Sequence, residues 1–256
     1  MAKLQIEQIP VLTDNYVYLL HDPESQATAV VDPAVAEPVQ ERLAKNGWRL
    51  THILNTHHHN DHTGGNLALK QASGAKVIGA RQDAQRIPGI DTEVTDGDSF
   101  LMGTAAAMVM SVPGHTLGHI AYWFPESQAL FCGDTLFAMG CGRLFEGSAE
   151  QMWASLMKIR GLPDDTLVYC AHEYTQTNAR FARMVERDNA ELLARMADID
   201  AKRSHGLPTV PSLLALERRT NPFLRADVES VKKGVGLPGA DPVQVFGEIR
   251  RRKDAF

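Results

Sequence analysis

An α/β or α+β sandwich with a mainly helical tail is the fold class predicted by three observations. Short apolar runs fill the first 170 residues, helix-like stretches interrupt them at intervals, and the pattern turns helical after that point. Candidate strands lie at 3–9, 15–20, 27–32, 49–55, 76–80, 106–112, 119–124 and 129–133. They are short, rich in Val, Ile and Tyr, and bounded by Pro, Gly, Asn and Asp. Asp96-Gly97-Asp98 reads as a turn. Helices are expected at 36–46, 64–73 and 148–160, the last opening on Ser148 ahead of Glu150 and Gln151, a plausible N-cap. Strands with interspersed helices place the helices outside the sheets.

After a strand at 166–170, the stretches 174–187 and 189–203 carry apolar residues at helical spacing: Phe181, Met184 and Val185, then Leu192, Leu193 and Met196. A Gly206-Leu207-Pro208 break follows, and further helices fit 211–218, 226–234 and 242–252. A boundary near 172–176 divides the chain into a domain at 1–173 and a tail at 174–256. The tail is long enough to pack on the first domain but marginal alone.

The 256 residues include 44% hydrophobic and 22% charged side chains, which excludes whole-chain disorder. No run approaches the length of a membrane helix, and the first residues lack the apolar stretch of a signal peptide. Three cysteines, Cys132, Cys141 and Cys170, argue against a disulfide framework and fit a reducing cytosol. The net charge is −5, which disfavours a generic nucleic-acid binder. It is uneven: 11 basic and 19 acidic residues to position 172 (−8), then 15 basic and 12 acidic (+3). A cation site in the first part and an anion-handling surface in the second would explain this, as would two solvated surfaces.

The most informative segment is Leu54-Asn55-Thr56-His57-His58-His59-Asn60-Asp61-His62-Thr63-Gly64-Gly65. It lies between an apolar strand and a helix, where α/β ligand sites gather. His57 and His59 are two apart, so an extended backbone points them one way and His58 the other. Asp61 and His62, at the turn into the helix, can face a second point nearby. Imidazole with carboxylate suits zinc, iron or manganese, and the absence of cysteine from the tract argues against a structural zinc finger. Incidental weak metal binding by a loop is the bland alternative. Three other places repeat the arrangement of strand, small residue, ligand type: Val112-Pro113-Gly114-His115, Phe131-Cys132-Gly133-Asp134 and Val168-Tyr169-Cys170-Ala171-His172. Any one of them alone could be structural; together with the tract they favour ligation.

The tract His57-x-His59-x-Asp61-His62, followed in order by His115, Asp134 and His172, resembles the dinuclear ligand set of the metallo-β-lactamase superfamily. Within it the chain is similar to the glyoxalase II (hydroxyacylglutathione hydrolase) family. The stretches that carry the similarity are Asp14-Asn15-Tyr16, Thr56 to His62, Gly133-Asp134-Thr135-Leu136-Phe137, Cys141 to Gly147, His172-Glu173-Tyr174-Thr175, Thr220 to Arg225, and Arg250-Arg251-Arg252-Lys253-Asp254. They span nearly the whole chain, including the tail.

The resemblance implies a four-layer αβ/βα sandwich with a C-terminal helical domain. It implies two divalent metals, zinc first with iron or manganese as alternatives: His57, His59 and His115 on one, Asp61, His62 and His172 on the other, and Asp134 bridging. His58 is not a ligand in that pattern, and His119 supports by hydrogen bonding. It implies hydrolysis of S-2-hydroxyacylglutathione, chiefly S-D-lactoylglutathione, by a metal-bridged hydroxide, with Asp61 and Asp134 catalytic. Arg143, Phe145, Tyr174, Arg250 and Lys253 would hold the glutathione thioester. Phe145 stands where the family often has tyrosine, and Ala171 where glycine is common. The expected partner is this small molecule, with neither nucleic acid nor membrane, and the chain is expected to be a cytoplasmic monomer. A mononuclear iron persulfide dioxygenase on the same scaffold is the alternative activity. A scaffold that binds metal without turnover is the non-enzyme reading.

Overall fold

The computed structural model describes residues 3–256, and their contacts divide them into two units. One comprises the chain up to Ser111 together with Gly118–Gly133. The other comprises Val112–Leu117 and Asp134–Phe256.

The first unit opens with β1 (Gln5–Val11), β2 (Asn15–His21) and β3 (Thr28–Val31), which are antiparallel neighbours. Helix α1 (Glu37–Asn46) leads to β4 (His52–Leu54). The short α2 (Asn60–Thr63) and then α3 (Asn66–Ser73) lead to β5 (Lys76–Ala80), and β6 (Ile90–Val94) ends the sheet. The strand order is β1-β2-β3-β4-β5-β6, with β3 to β6 parallel. Alternation along β2 assigns its two faces. Val17 and Leu19 join Val39, Leu43 and Leu69 of the helices in one buried core. Tyr18 points the other way and meets Phe131 edge-on at 5.5 Å. Phe131 belongs to a second, antiparallel set in this unit: β7 (Ser99–Met102), β8 (Ala105–Ser111), β9 (Ile120–Phe124) and β10 (Ala129–Gly133). The hydroxyl of buried Tyr122 on β9 donates to the carbonyls of Asn55 and Ile78, pinning the two sheets at the ends of β4 and β5.

Several sequence expectations shift. The first strand extends through Pro10, which an edge strand tolerates because only one side of it is paired. Strands β6 and β7, which flank the expected Asp96–Asp98 turn, carry too few buried residues for a periodicity signal. The helix expected at 64–73 starts at Asn66, and α2 precedes it. Gly64 sits so close to the Ala34 carbonyl that a Cβ there would approach it to 2.5 Å.

The second unit contains a two-pair hairpin, β11 (Leu136–Phe137) with β12 (Gly140–Cys141). It also contains α4 (Ala149–Arg160), β13 (Leu167–Cys170) and the helices α5 (Thr175–Val185) and α6 (Ala190–Ser204). The chain then runs through β14 (Ser212–Leu213), α7 (Leu214–Thr220), α8 (Glu229–Gly234) and α9 (Pro242–Asp254). Ser148 caps α4 with a reciprocal bond from Gln151, as its sequence implies. Met139, Ala179, Ala182, Leu192 and Ile199 make the core under α5 and α6, and Trp153 of α4 packs on Phe246 of α9. Among the described residues no helix is long and apolar enough to cross a membrane.

Two histidines tie this fold to pH. His21 is buried, stacked on Trp48 at 4.3 Å and bonded to Thr28. Burial lowers its pKa below 6.5, against a smaller opposing pull from Asp22. Burial, then Lys76, also lowers that of His52. Both are neutral in the fold, so as pH falls below about 6.5 the unfolded chain takes up protons that the native state refuses, and stability declines. Denaturation midpoints should therefore drop between pH 7.5 and 5.5. His21→Gln with His52→Gln should flatten part of that slope; an unchanged slope would remove these histidines as its source.

Candidate active site

In the first unit, the parallel pairing of β3 with β4 puts Asp32 beside the loop that follows Leu54. Asp32 is 3% exposed, with φ +49°. One carboxylate oxygen accepts the Thr56 N–H at 2.8 Å. The other accepts the Thr56 hydroxyl at 2.7 Å and His62 Nδ1 at 3.1 Å. Asp32, His57 and His62 thus form a buried cluster. Both Asp32 oxygens are already engaged, so it supports the loop rather than completing a ligand set.

These bonds settle tautomers. The Asp32 carboxylate can only accept, so His62 Nδ1 donates and its Nε2 keeps a lone pair. The Thr56 hydroxyl spends its proton on Asp32, so it accepts from His57 Nδ1 at 3.1 Å and leaves a lone pair on His57 Nε2. His57 Nε2 lies 3.1 Å from His59 Nδ1, and His62 Nε2 lies 3.4 Å from Asp61 Oδ2. Asn15 donates to Asp61 Oδ2 at 3.1 Å and to its carbonyl at 3.3 Å. His58 turns away to Asp83 at 3.0 Å, and His119 stacks on His57 at 4.6 Å.

The second unit repeats the arrangement. His115 Nδ1 donates to the Arg143 carbonyl at 2.8 Å, which leaves Nε2 as its lone pair. Asp134 places Oδ2 3.4 Å from His115 Nε2 and Oδ1 3.4 Å from His172 Nε2. A carboxylate with one oxygen toward each of two imidazoles has the shape of a bridging ligand. A tetrahedral ion with bonds of about 2.0–2.1 Å spaces its ligand atoms by about 3.3–3.4 Å. The 3.4 Å pairs of both units match that spacing, the His57–His59 pair at 3.1 Å is slightly closer, and their nitrogen and carboxylate chemistry suits a divalent metal. Gly142 allows the close approach here, since a Cβ would reach the Asp134 carbonyl at 1.9 Å.

A cavity of about 490 Å³ opens in this unit, lined by His115 and Asp134 together with Arg143, Phe145, Tyr174, Arg250 and Lys253. Tyr174 stacks flat on His172 at 4.7 Å, and the exposed Phe145 meets His115 edge-on at 5.1 Å. Arg250 is 5% exposed; it donates to the Cys141 carbonyl at 3.0 Å and pairs with Asp254 at 2.8 Å. Arg143 reaches the same Asp254 at 3.8 Å. Burial, then the charges of Arg250 and Arg143, lower the pKa of the Lys253 ammonium. Three cations thus share one carboxylate, an arrangement that favours an anionic ligand. Cys141 also lines the cavity, but burial pushes its thiol up to about 11 and that of Cys170 to about 12, so neither is a thiolate nucleophile.

Comparison with known proteins matches residues 12–172 to the metallo-β-lactamase superfamily and 173–256 to the family described as hydroxyacylglutathione hydrolase C-terminus. The chain is 61% identical over 253 residues to hydroxyacylglutathione hydrolase of Methylococcus capsulatus, covering 99% of each. The chain belongs to the hydroxyacylglutathione hydrolase family of the metallo-β-lactamase superfamily. A second member of that family, from Rhodospirillum rubrum, is 57% identical over the full length of both chains. Among solved structures, ETHE1 from Myxococcus xanthus has a TM-score of 0.70 at 26% identity, covering 96% of this chain and 90% of that one. The fold is thus the metallo-β-lactamase fold with a C-terminal helical domain, as expected.

Membership in this family frames what the sequence reading missed. Asp32, Asn15 and Asp83 were not among the candidate residues, although each holds the His57–His62 loop. Asp32 had a partial signal: like Asp134 it is a carboxylate at the end of an apolar strand, Thr28–Val31, but without the intervening small residue.

Proposed function

We propose that this protein hydrolyses S-2-hydroxyacylglutathione, chiefly S-D-lactoylglutathione, to glutathione and a 2-hydroxy acid such as D-lactate, the second step of methylglyoxal detoxification. The observation that carries the reading is the single cavity in which the ligand-type His115 and Asp134 face the cations Arg143, Arg250 and Lys253. It suits a substrate with a reactive carbonyl at one end and carboxylates at the other.

His57, His59 and His115 would hold one divalent metal, Asp61, His62 and His172 the other, with Asp134 shared. Zinc fits first, and iron or manganese fit the same donors. Such a pair would supply Lewis-acid activation of water, making hydroxide available near neutrality. The chain's own groups do the rest. Asp32 and the Arg143 carbonyl keep His62 and His115 in the tautomer that presents Nε2. Asn15 fixes Asp61, which orients the nucleophile by accepting its hydrogen bond. Lys253 and Arg143 pair with the glutathione carboxylates, and Arg250 holds that end of the cavity in place. The leaving thiolate has a pKa near 8.5, so it departs without a general acid. The metal ligands would all come from 1–173, and the glutathione contacts from 174–256 together with Arg143 and Phe145 of the first segment. Three buried free thiols agree with a cytosolic setting, and a monomer suffices for this chemistry.

The test is loss of S-D-lactoylglutathione absorbance with thiol release, before and after chelation, with metals counted alongside. Chelator-sensitive hydrolysis with about two metals per chain is the expected result. A fully metallated protein without hydrolysis, but with oxygen uptake on glutathione persulfide, would replace this reading with the dioxygenase.

A further inference from the structure

We propose that Glu217 and Asn221, neither of which lines the cavity, are positioning residues that shape it through the β11–β12 hairpin. This rests on the glutathione-thioester reading. The hairpin begins two residues after Asp134, and the Gly142 N–H closes its base on the Thr135 carbonyl at 3.2 Å. With only two residue pairs it cannot hold its own shape. Its turn, Ala138-Met139, puts Met139 at φ +62°, a region that disfavours a side chain.

Buried side chains of the helices secure this turn. Glu217 Oε2 accepts the Met139 N–H at 2.9 Å. Asn221 Nδ2 donates to the carbonyls flanking the turn, Phe137 at 3.2 Å and Gly140 at 3.0 Å, and to Glu217 Oε2 at 3.0 Å. Asn178 donates to the Ala138 carbonyl at 3.1 Å. Glu217 and Asn221 are fully buried, and Arg195, itself bonded to Thr220 at 2.7 Å, neutralises Glu217 through its other guanidinium nitrogen.

A buried ion pair is a poor source of net stability, so its value here lies in fixing an orientation. The hairpin carries what needs orienting. Phe137 and Cys141 both line the cavity. Phe137 stands edge-on to His172 at 5.8 Å and to Tyr174 at 5.3 Å, and the Cys141 carbonyl seats Arg250. A shift of the turn therefore moves the aromatic wall and the cationic end together.

Asn221→Ser tests this directly. Its hydroxyl still accepts the Phe223 N–H that Asn221 Oδ1 now accepts at 3.0 Å, yet it lacks the donors to Phe137 and Gly140. KM for S-D-lactoylglutathione and the calorimetric Kd for glutathione should both rise about tenfold, with kcat within about twofold and metal content unchanged. Glu217→Gln should shift the same constants in the same direction. A fall in Tm with KM and Kd unchanged, no change in any readout, or loss of the folded state in both single variants would overturn the positioning role. Wild-type protein that binds no glutathione would overturn the substrate reading and the role together; wild-type binding matched by the variants would overturn the role alone.

Discussion

Asp134→Ala should lose bound metal and lower turnover by about a thousandfold or more, the equivalent of roughly 4 kcal/mol of barrier. The two oxygens of Asp134 approach different imidazoles, His115 and His172, each at 3.4 Å. Alanine removes both approaches, so in the proposed centre each metal loses a ligand at once. Asp134→Asn keeps the shape and one good acceptor oxygen but not the charge, and should fall between the two. Metal content by elemental analysis, steady-state kinetics and circular dichroism on the same samples separate a vacant centre from a misfolded chain. Full activity with normal metal loading in the alanine variant would defeat the assignment.

Asp32→Ala should produce the second large effect, although Asp32 is no proposed ligand. It is 3% exposed and accepts three hydrogen bonds. Its loss strands the Thr56 N–H and His62 Nδ1 in a buried site, which costs about 2–4 kcal/mol of stability. Freed from Asp32, His62 can take the other tautomer and protonate Nε2, the nitrogen meant for the metal. Metal affinity should fall by about 10–100-fold, the usual consequence of deleting a bond that orients a metal-bound histidine. Asp32→Asn separates the two effects, because asparagine tolerates the left-handed φ of +49° better than alanine and keeps one acceptor. Metal titration against a competing chelator, with chemical denaturation in parallel, reads both. Wild-type metal affinity in Asp32→Ala would show that the clamp does not tune the centre.

These two residues mark where the sequence is legible. Asp134 could be read because it repeats, after an apolar strand, the pattern seen before His115 and His172. Asp32 also ends an apolar strand but lacks the small residue before it, and its role depends on β3 lying parallel beside β4, a pairing between segments 20 residues and more apart in sequence. Strands β6 and β7 escaped reading for a different reason. Ile90–Val94 carries an exposed Asp-Thr-Glu centre at a sheet edge, so burial never imprinted an alternation on it. Helices α4, α5, α6 and α9 were legible to within two residues of their ends, and Ser148 caps α4 where its sequence places it, whereas α7 and α8 begin three residues later than expected.

Arg250 shows the limit most clearly. From sequence it is one of four consecutive basic residues at the end of a helix, where a solvated last turn is the plainer reading. In the fold it is 5% exposed and clasped by the Cys141 carbonyl and Asp254, while Lys253 and Arg143 stand at the same cavity. The sequence by itself determined the candidate ligands, their order and the family, because these reside in residue types and short spacings along the chain. Only the tertiary structure decided which nitrogen of His57, His62 and His115 faces inward, and how Arg143 and Arg250 gather at Asp254 in the cavity that Asp134 lines. Those outcomes depend on hydrogen-bond partners and burial supplied by distant segments, and no local spacing encodes them.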